Sequence, residues 1–123
     1  QAVQIAFALR EALAEHREHG GWLARRALFR ARAELIHQTL ARCGVTTLLE
    51  SSEYGSVLWS YRLPAGLGYA RLHDGLKRRG FVIYAGQGQL APEVFRIAHM
   101  GDIGADDLER LCAALPAIIG ARR

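Results

Sequence analysis

The chain has 123 residues, of which 16 are basic and 12 acidic, and half are hydrophobic. A chain of this length buries roughly two-thirds of its unfolded surface and holds one core, which excludes several full domains. No apolar run approaches the ~18 residues of a membrane helix, and no charged-then-apolar leader opens the chain. We therefore expect no membrane insertion and a cytoplasmic protein.

Arginine carries almost all of the positive charge, because Lys77 is the only lysine. The arginines of one predicted helix run partly around it instead of forming one basic face: Arg25, Arg26, Arg30 and Arg32. A nucleic-acid binder usually concentrates such residues on one face, so the net charge of +4 predicts no nucleic-acid partner.

Helical spacing of apolar residues predicts a first helix from Ala2 to His19 and a second from Trp22 to Cys43. The first helix lacks a capping Ser, Thr, Asp or Asn, and Gln1 stands in place of Met. We interpret the chain as a segment of a longer polypeptide. The second helix carries one apolar stripe, formed by Trp22, Phe29, Ala33, Ile36, Leu40 and Cys43, and Gly44 is placed to cap it.

The cysteines indicate the redox state of the protein. Cys43 and Cys112 lie on predicted apolar helix faces, which favours buried free thiols over a disulfide. We therefore expect a reducing compartment.

The second half of the chain alternates strands and helices. Period-two alternation predicts a strand from Val57 to Leu63, and short apolar runs predict strands at 81–84 and 94–98. A third helix around Leu72 ends at Gly80, and a fourth opens at Asp106 and Asp107 and is ended or kinked by Pro116.

The spacing of the last two strands predicts their direction. About nine residues separate them, too few for a helical crossover, so they should pair antiparallel. The sequence therefore predicts a two-layer α+β fold: a small antiparallel sheet of three to four strands with helices packed on one face.

Most classes of catalytic or ligand site find no support in the sequence. His16 and His19 share a helix face with Glu18 but lack a third convergent ligand, so no metal site is predicted. No serine lies in a Gly-x-Ser-x-Gly elbow. The Gly86-Gln87-Gly88 loop lacks the third glycine and the helix of a dinucleotide site, so we interpret it as a tight connection.

Arg96 is the candidate functional residue. It lies within the apolar run Val94-Phe95-Arg96-Ile97-Ala98, where a guanidinium requires an anion. The structural explanations are an internal partner such as Glu93 or Asp102, or exposure at a sheet edge. The functional explanation is a fork of donors for a ligand carboxylate, phosphate or phosphonate.

Two motifs carry a resemblance that covers nearly the whole chain. Gly80-Phe81-Val82-Ile83-Tyr84, followed after ten residues by Phe95-Arg96-Ile97-Ala98-His99-Met100-Gly101-Asp102-Ile103, resembles the C-terminal small domain of the class V aminotransferases. The first motif is most similar to the 2-aminoethylphosphonate:pyruvate aminotransferases. The His-Met-Gly run is equally like the alanine- or serine-glyoxylate aminotransferases.

The resemblance implies a fold, a cofactor and a partner set. Members are fold-type I enzymes that use pyridoxal 5'-phosphate and act as homodimers. Residues 1–21 would be the end of a large-domain or interdomain helix, and 22–123 the small domain. The parent enzyme would transfer an amino group from a small anionic donor, such as 2-aminoethylphosphonate, to pyruvate or a similar keto acid.

The resemblance assigns one residue of this chain to the site. Arg96 corresponds to the arginine that binds the acidic group of the substrate. The Schiff-base lysine and the cofactor-binding residues lie in the family's large domain, and Lys77 does not match that lysine. We therefore expect no catalytic, cofactor-binding or metal residue here, and an inactive chain when isolated.

Three departures leave the substrate open. Ala85 and Gln87 stand at positions where the resemblance to the phosphonate enzymes predicts Pro and Lys. Ala98 stands at a position where the resemblance predicts Gly. The alternatives are an alanine- or serine-glyoxylate aminotransferase domain, or a stand-alone regulatory module that binds a small acid.

Overall fold

A computed structural model describes residues 2–120 of the chain. Gln1 and residues 121–123, which fall at the outer ends of the two predicted domain segments, lie outside the described residues. The helices and strands are α1 (Val3–Glu18), α2 (Gly21–Arg42), β1 (Leu58–Arg62), α3 (Tyr69–Lys77), β2 (Tyr84–Ala85), β3 (Val94–Ala98) and α4 (Ala105–Ile119).

The three strands form one antiparallel sheet in the order β1-β3-β2. Trp59 pairs with Ile97 and Tyr61 pairs with Phe95, and all four side chains are buried. Because side chains alternate between the faces of a strand, these residues share the face that packs on the helices. The predicted two-layer α+β fold is thereby confirmed.

The core lies between this sheet face and helices α2, α3 and α4. The Tyr61 and Phe95 rings stack with their centroids 5.5 Å apart, and both residues are fully buried. Fully or almost fully buried aliphatic residues of the helices complete the core, among them Ile36, Leu40, Leu72, Leu76 and Leu115.

The prediction of a strand at 81–84 is largely wrong, because only Tyr84 and Ala85 pair with β3. The backbone of the preceding residues has other partners. The Phe81 amide donates to the Leu76 carbonyl at 3.0 Å, which closes the end of α3, and the Ile83 carbonyl accepts a hydrogen bond from the Tyr69 hydroxyl at 2.8 Å. Backbone groups engaged in this way are not available to a sheet ladder.

The sequence predicted that Pro116 either ends or kinks the fourth helix, and the structure shows that it does not end it. It lies inside α4, which continues to Ile119 and stops at Gly120, where φ is +91°. The Pro116 carbonyl still accepts a hydrogen bond from the Gly120 amide at 2.9 Å. A proline loses its own amide donor but keeps this acceptor, so one further turn can form after it.

The N-terminal third of the chain contributes little to the core. Helix α1 has no buried residue, and Trp22 at the start of the predicted apolar stripe is 62% exposed. The stripe becomes buried only from Ala33 onward. Gly44, with φ of +75°, follows α2 in the left-handed conformation that the sequence predicted.

No α-helix within residues 2–120 combines the length and the apolar character that crossing a bilayer would require.

Candidate functional site

Arg96 lies on the central strand of the sheet and not at an edge. It pairs with Ser60 of β1 on one side and Tyr84 of β2 on the other. Its neighbours Phe95 and Ile97 point into the core, so Arg96 points to the opposite face, and it is partly buried. Exposure at a sheet edge therefore does not explain this residue.

The guanidinium of Arg96 is held by one internal hydrogen bond. Its Nε donates to the Ala85 carbonyl at 2.8 Å. Within residues 2–120 its two terminal nitrogens make no hydrogen bond, and no carboxylate lies within the 4.0 Å of an ion pair. The internal partners suggested by the sequence, Glu93 and Asp102, are therefore not engaged. The Nε bond fixes the fork, and the two free nitrogens can bind an anion bidentately.

A cleft of about 320 Å³ has Arg96 among its lining residues. Its wall combines Arg96 with Tyr84, Ile83, Ile103 and a second arginine, Arg110. The mixture of apolar walls and a few polar groups is usual for a site that binds a small molecule.

The second arginine of the cleft is already committed. Arg110 donates to Asp107 Oδ1 at 2.7 Å and to the Arg79 carbonyl at 3.2 Å, and it lies over the Phe81 ring. Arg96 is thus the better placed of the two to bind an anion.

His99 also contributes to the wall of this cleft, although no sequence motif singled it out as a site residue. It is fully buried, and neither ring nitrogen makes a hydrogen bond within the described residues. Its ring meets Trp59 edge to face at 6.2 Å between centroids. A signal was present, since continuing the inward alternation of Phe95 and Ile97 by two residues places His99 on the core side.

Burial determines the charge state of His99. Desolvation lowers the pKa of this imidazole to about 4, and the backbone of Ser56 opposes the shift without cancelling it. The ring is therefore neutral at pH 7 and behaves as a packed aromatic group.

This depressed pKa predicts a pH dependence of stability. Because the folded pKa of about 4 lies below the unfolded value near 6.5, the unfolded state binds more protons in that window. The contribution of neutral His99 to the free energy of unfolding is complete above pH 6.5. It is lost as the pH falls toward 4, and the loss is at most roughly 3 kcal/mol. We expect the unfolding free energy of His99→Leu to change less with pH between 7 and 4.5 than that of the wild type. Urea unfolding at several pH values measures this dependence. Equal slopes for both proteins would contradict it.

Two further buried polar atoms belong to rings that, like His99, pack against Trp59. His37 Nδ1 and the Tyr61 hydroxyl have no hydrogen-bond partner within the described residues, and both rings approach Trp59, at 5.4 and 6.5 Å between centroids. Burial raises the pKa of Tyr61, so its hydroxyl remains protonated.

Arg32 is a second buried residue that no sequence motif singled out. It is 7% exposed, and it donates hydrogen bonds to the carbonyls of His99, Gly101 and Ile103 at 3.2, 2.9 and 2.7 Å. Its place on helix α2, three residues after Phe29 and four before Ile36, lies on the apolar stripe. That spacing was the available signal.

The groups that carry chemistry elsewhere in the chain are dispersed. Lys77 is exposed in the last turn of α3, and it does not line the cleft beside Arg96. Cys43 is buried and Cys112 half-buried, and both are free thiols. Within residues 2–120 no three His, Cys, Asp or Glu residues converge as metal ligands would.

The Gly86-Gln87-Gly88 loop is a tight connection, as predicted. A Cβ at Gly86 would overlap the Leu90 backbone, so this position requires glycine. The loop leads into a short 3-10 turn at Gly88–Leu90 and then to β3.

The sequence is similar to known transaminases, although no family model matches it. The 2-aminoethylphosphonate–pyruvate transaminase of Bacillus mycoides (strain KBAB4) is 32% identical over 108 residues, which are 87% of this chain and 29% of that protein. The corresponding transaminase of Bacillus cereus (strain ATCC 14579) is 31% identical over 119 residues, 94% of this chain and 32% of that protein. The chain thus spans about a third of the length of these curated relatives.

A solved structure shares the fold. The alanine–glyoxylate aminotransferase from Nostoc sp. superposes with a TM-score of 0.81 at 23% identity, over 92% of this chain and 30% of that one.

Proposed function

Because this chain belongs to the class V aminotransferases, we propose that it is the C-terminal small domain of a transaminase that depends on pyridoxal 5'-phosphate. In this role the chain supplies the residue that binds the acidic group of the substrate. The catalytic lysine and the cofactor site belong to the part of the enzyme outside this chain.

The free fork of Arg96 is the observation that supports this proposal. A transaminase binds an amino donor and a keto acceptor in turn at one site, so a single anion-binding group serves both substrates. The Nε bond to the Ala85 carbonyl holds the guanidinium, while its terminal nitrogens have no partner within the described residues. They can donate two parallel hydrogen bonds to a carboxylate or a phosphonate.

The cofactor supplies the electron sink for amino transfer when it is bound. In this proposal Lys77, the only lysine of the chain and exposed in the last turn of α3, is not the Schiff-base lysine. The contribution of this chain is therefore to bind and orient the substrate's acidic group beside the cofactor.

For the substrates we propose 2-aminoethylphosphonate as amino donor and pyruvate as acceptor, the pair in the names of the relatives. The departure at Ala85 is compatible with this pair, because Arg96 uses the backbone carbonyl of residue 85, which any residue supplies. The His99-Met100-Gly101 run favours a second candidate, an alanine- or serine-glyoxylate aminotransferase.

The two predicted domain segments are part of the same proposal. Helix α1 would belong to the interdomain connection, and its lack of buried residues supports this. Its exposed apolar side chains are then available to the rest of the enzyme: Val3, Ile5, Phe7, Leu9 and Leu13. We further propose a homodimer and a cytoplasmic location for the complete enzyme.

The test compares the 123-residue chain with the protein encoded by its complete reading frame, both supplied with pyridoxal 5'-phosphate. We expect the complete protein to form alanine from pyruvate with 2-aminoethylphosphonate. We expect the isolated chain to show neither turnover nor the absorbance of a cofactor Schiff base. A yellow adduct of the isolated chain that transaminates would contradict the small-domain assignment, and a complete reading frame of only this length would favour the stand-alone module.

A further inference from the structure

Arg32 is a charged residue buried beside the core, with no carboxylate partner within residues 2–120. Burying a guanidinium is costly unless its donors are satisfied. Here backbone carbonyls satisfy them: Nη1 donates to His99 and Gly101, and Nη2 donates to Ile103. The guanidinium also lies over the Phe29 ring at 5.6 Å.

The three acceptors lie on one segment, residues 99–103, which connects β3 to α4 without regular secondary structure. The acceptors are every second residue of this segment, so the guanidinium of Arg32 binds the beginning, the middle and the end of the segment. Gly101 at the centre has φ of +111°, a backbone conformation that glycine alone adopts readily. The hydrogen bonds from Arg32 therefore stabilise a turn with little support of its own.

This turn lies next to the candidate site. It begins three residues after Arg96, and its two ends, His99 and Ile103, line the cleft that Arg96 also lines. A shift of the turn changes the wall against which a bound substrate would rest.

We propose that Arg32 is a positioning residue for the substrate site: it holds segment 99–103 so that the cleft beside Arg96 keeps its shape. The proposal rests on the proposed function of Arg96 as the anion-binding residue. Arg32 touches neither substrate nor cofactor in this role, and it acts through the turn.

The first test variant is Arg32→Lys in the complete enzyme, which keeps the charge. A single ammonium cannot reproduce a planar fork whose two nitrogens contact three carbonyls. We expect KM for amino donor and keto acceptor to rise about tenfold, with kcat nearly unchanged, because a displaced wall weakens substrate binding. Arg30→Lys on the same helix is the matched control, since Arg30 is exposed, and it should leave both parameters unchanged.

The second variant loosens the same turn without touching Arg32. Alanine at position 101 is strained by the positive φ, while its Cβ would meet Ile103 only at 4.0 Å. We expect Gly101→Ala to raise the same KM values, so the proposal remains testable if Arg32→Lys does not fold.

A double variant separates positioning from general stability. If Arg32 acts through the Arg96 site, Arg32→Lys combined with Arg96→Ala should raise KM no further than Arg96→Ala alone. Additive effects, or unchanged KM in both Arg32→Lys and Gly101→Ala, would overturn the positioning role. If Arg96→Ala itself leaves KM unchanged, the proposed function of Arg96 fails instead, and the two failures are thereby distinguished.

Discussion

Replacing Arg96 by alanine in the complete enzyme should raise KM for the amino donor and for the keto acceptor together, by about 10- to 100-fold each. Charge-assisted hydrogen bonds contribute about 1.5–3 kcal/mol, and each 1.4 kcal/mol is a factor of ten in binding. Both substrates lose the same partner, because one guanidinium serves both halves of the reaction. Steady-state kinetics with each substrate varied in turn measures the effect.

Arg62→Ala is the matched control for Arg96→Ala. Arg62 is exposed on β1, on the same sheet face, and it does not line the cleft beside Arg96. We expect Arg62→Ala to have the KM values of the wild type. We expect both Arg62→Ala and Arg96→Ala to have the cofactor affinity of the wild type. A KM that changes for one substrate only would show that Arg96 does not serve both.

The second large effect concerns the core. Phe95 is fully buried between sheet and helices and stacks on Tyr61. Phe95→Ala removes most of this ring and should lower the free energy of unfolding by about 3–5 kcal/mol. This is a large fraction of the roughly 5–15 kcal/mol that stabilises a typical domain. Urea unfolding of the chain measures the change.

Val82→Ala provides the comparison for Phe95→Ala. Val82 is 58% exposed, so its truncation should change the unfolding free energy by less than about 0.5 kcal/mol. A Phe95→Ala effect as small as that of Val82→Ala would contradict the assignment of the core to this face of the sheet.

The sequence predicted the parts of the fold that local patterns govern. Alternation predicted β1, a short apolar run predicted β3, and helical spacing predicted α1 to α4. The acidic residues Asp106 and Asp107 do lie in the first turn of α4. The short connection between the last two strands correctly predicted their antiparallel pairing. These features depend on residues close together in the chain.

The errors arise where distant partners decide. Residues 81–83 look like a strand, but the end of α3 and the Tyr69 hydroxyl bind their backbone. Trp22 fits an apolar stripe, yet its side chain is exposed, because no part of residues 2–120 covers it. Such contacts are tertiary, and periodicity contains no information about them.

For the candidate site, the sequence pointed to Arg96 but not to Arg32, and the anion-binding role of Arg96 stays a prediction. The apolar run drew attention to Arg96, which lines the cleft and whose terminal nitrogens have no hydrogen-bond partner in the described chain. Arg32 escaped notice because its acceptors are carbonyls 67 to 71 residues away. Only the folded chain brings them together.

The most direct measurement of the central claim is the inhibition constant of ethylphosphonate, which has the phosphonate of 2-aminoethylphosphonate but no amino group. If Arg96 binds the acidic group, ethylphosphonate should compete with the amino donor in the complete wild-type enzyme. Its inhibition constant should rise in Arg96→Ala by about the same 10- to 100-fold factor as KM, and should stay unchanged in Arg62→Ala. Equal inhibition constants in the wild type and Arg96→Ala would contradict the account.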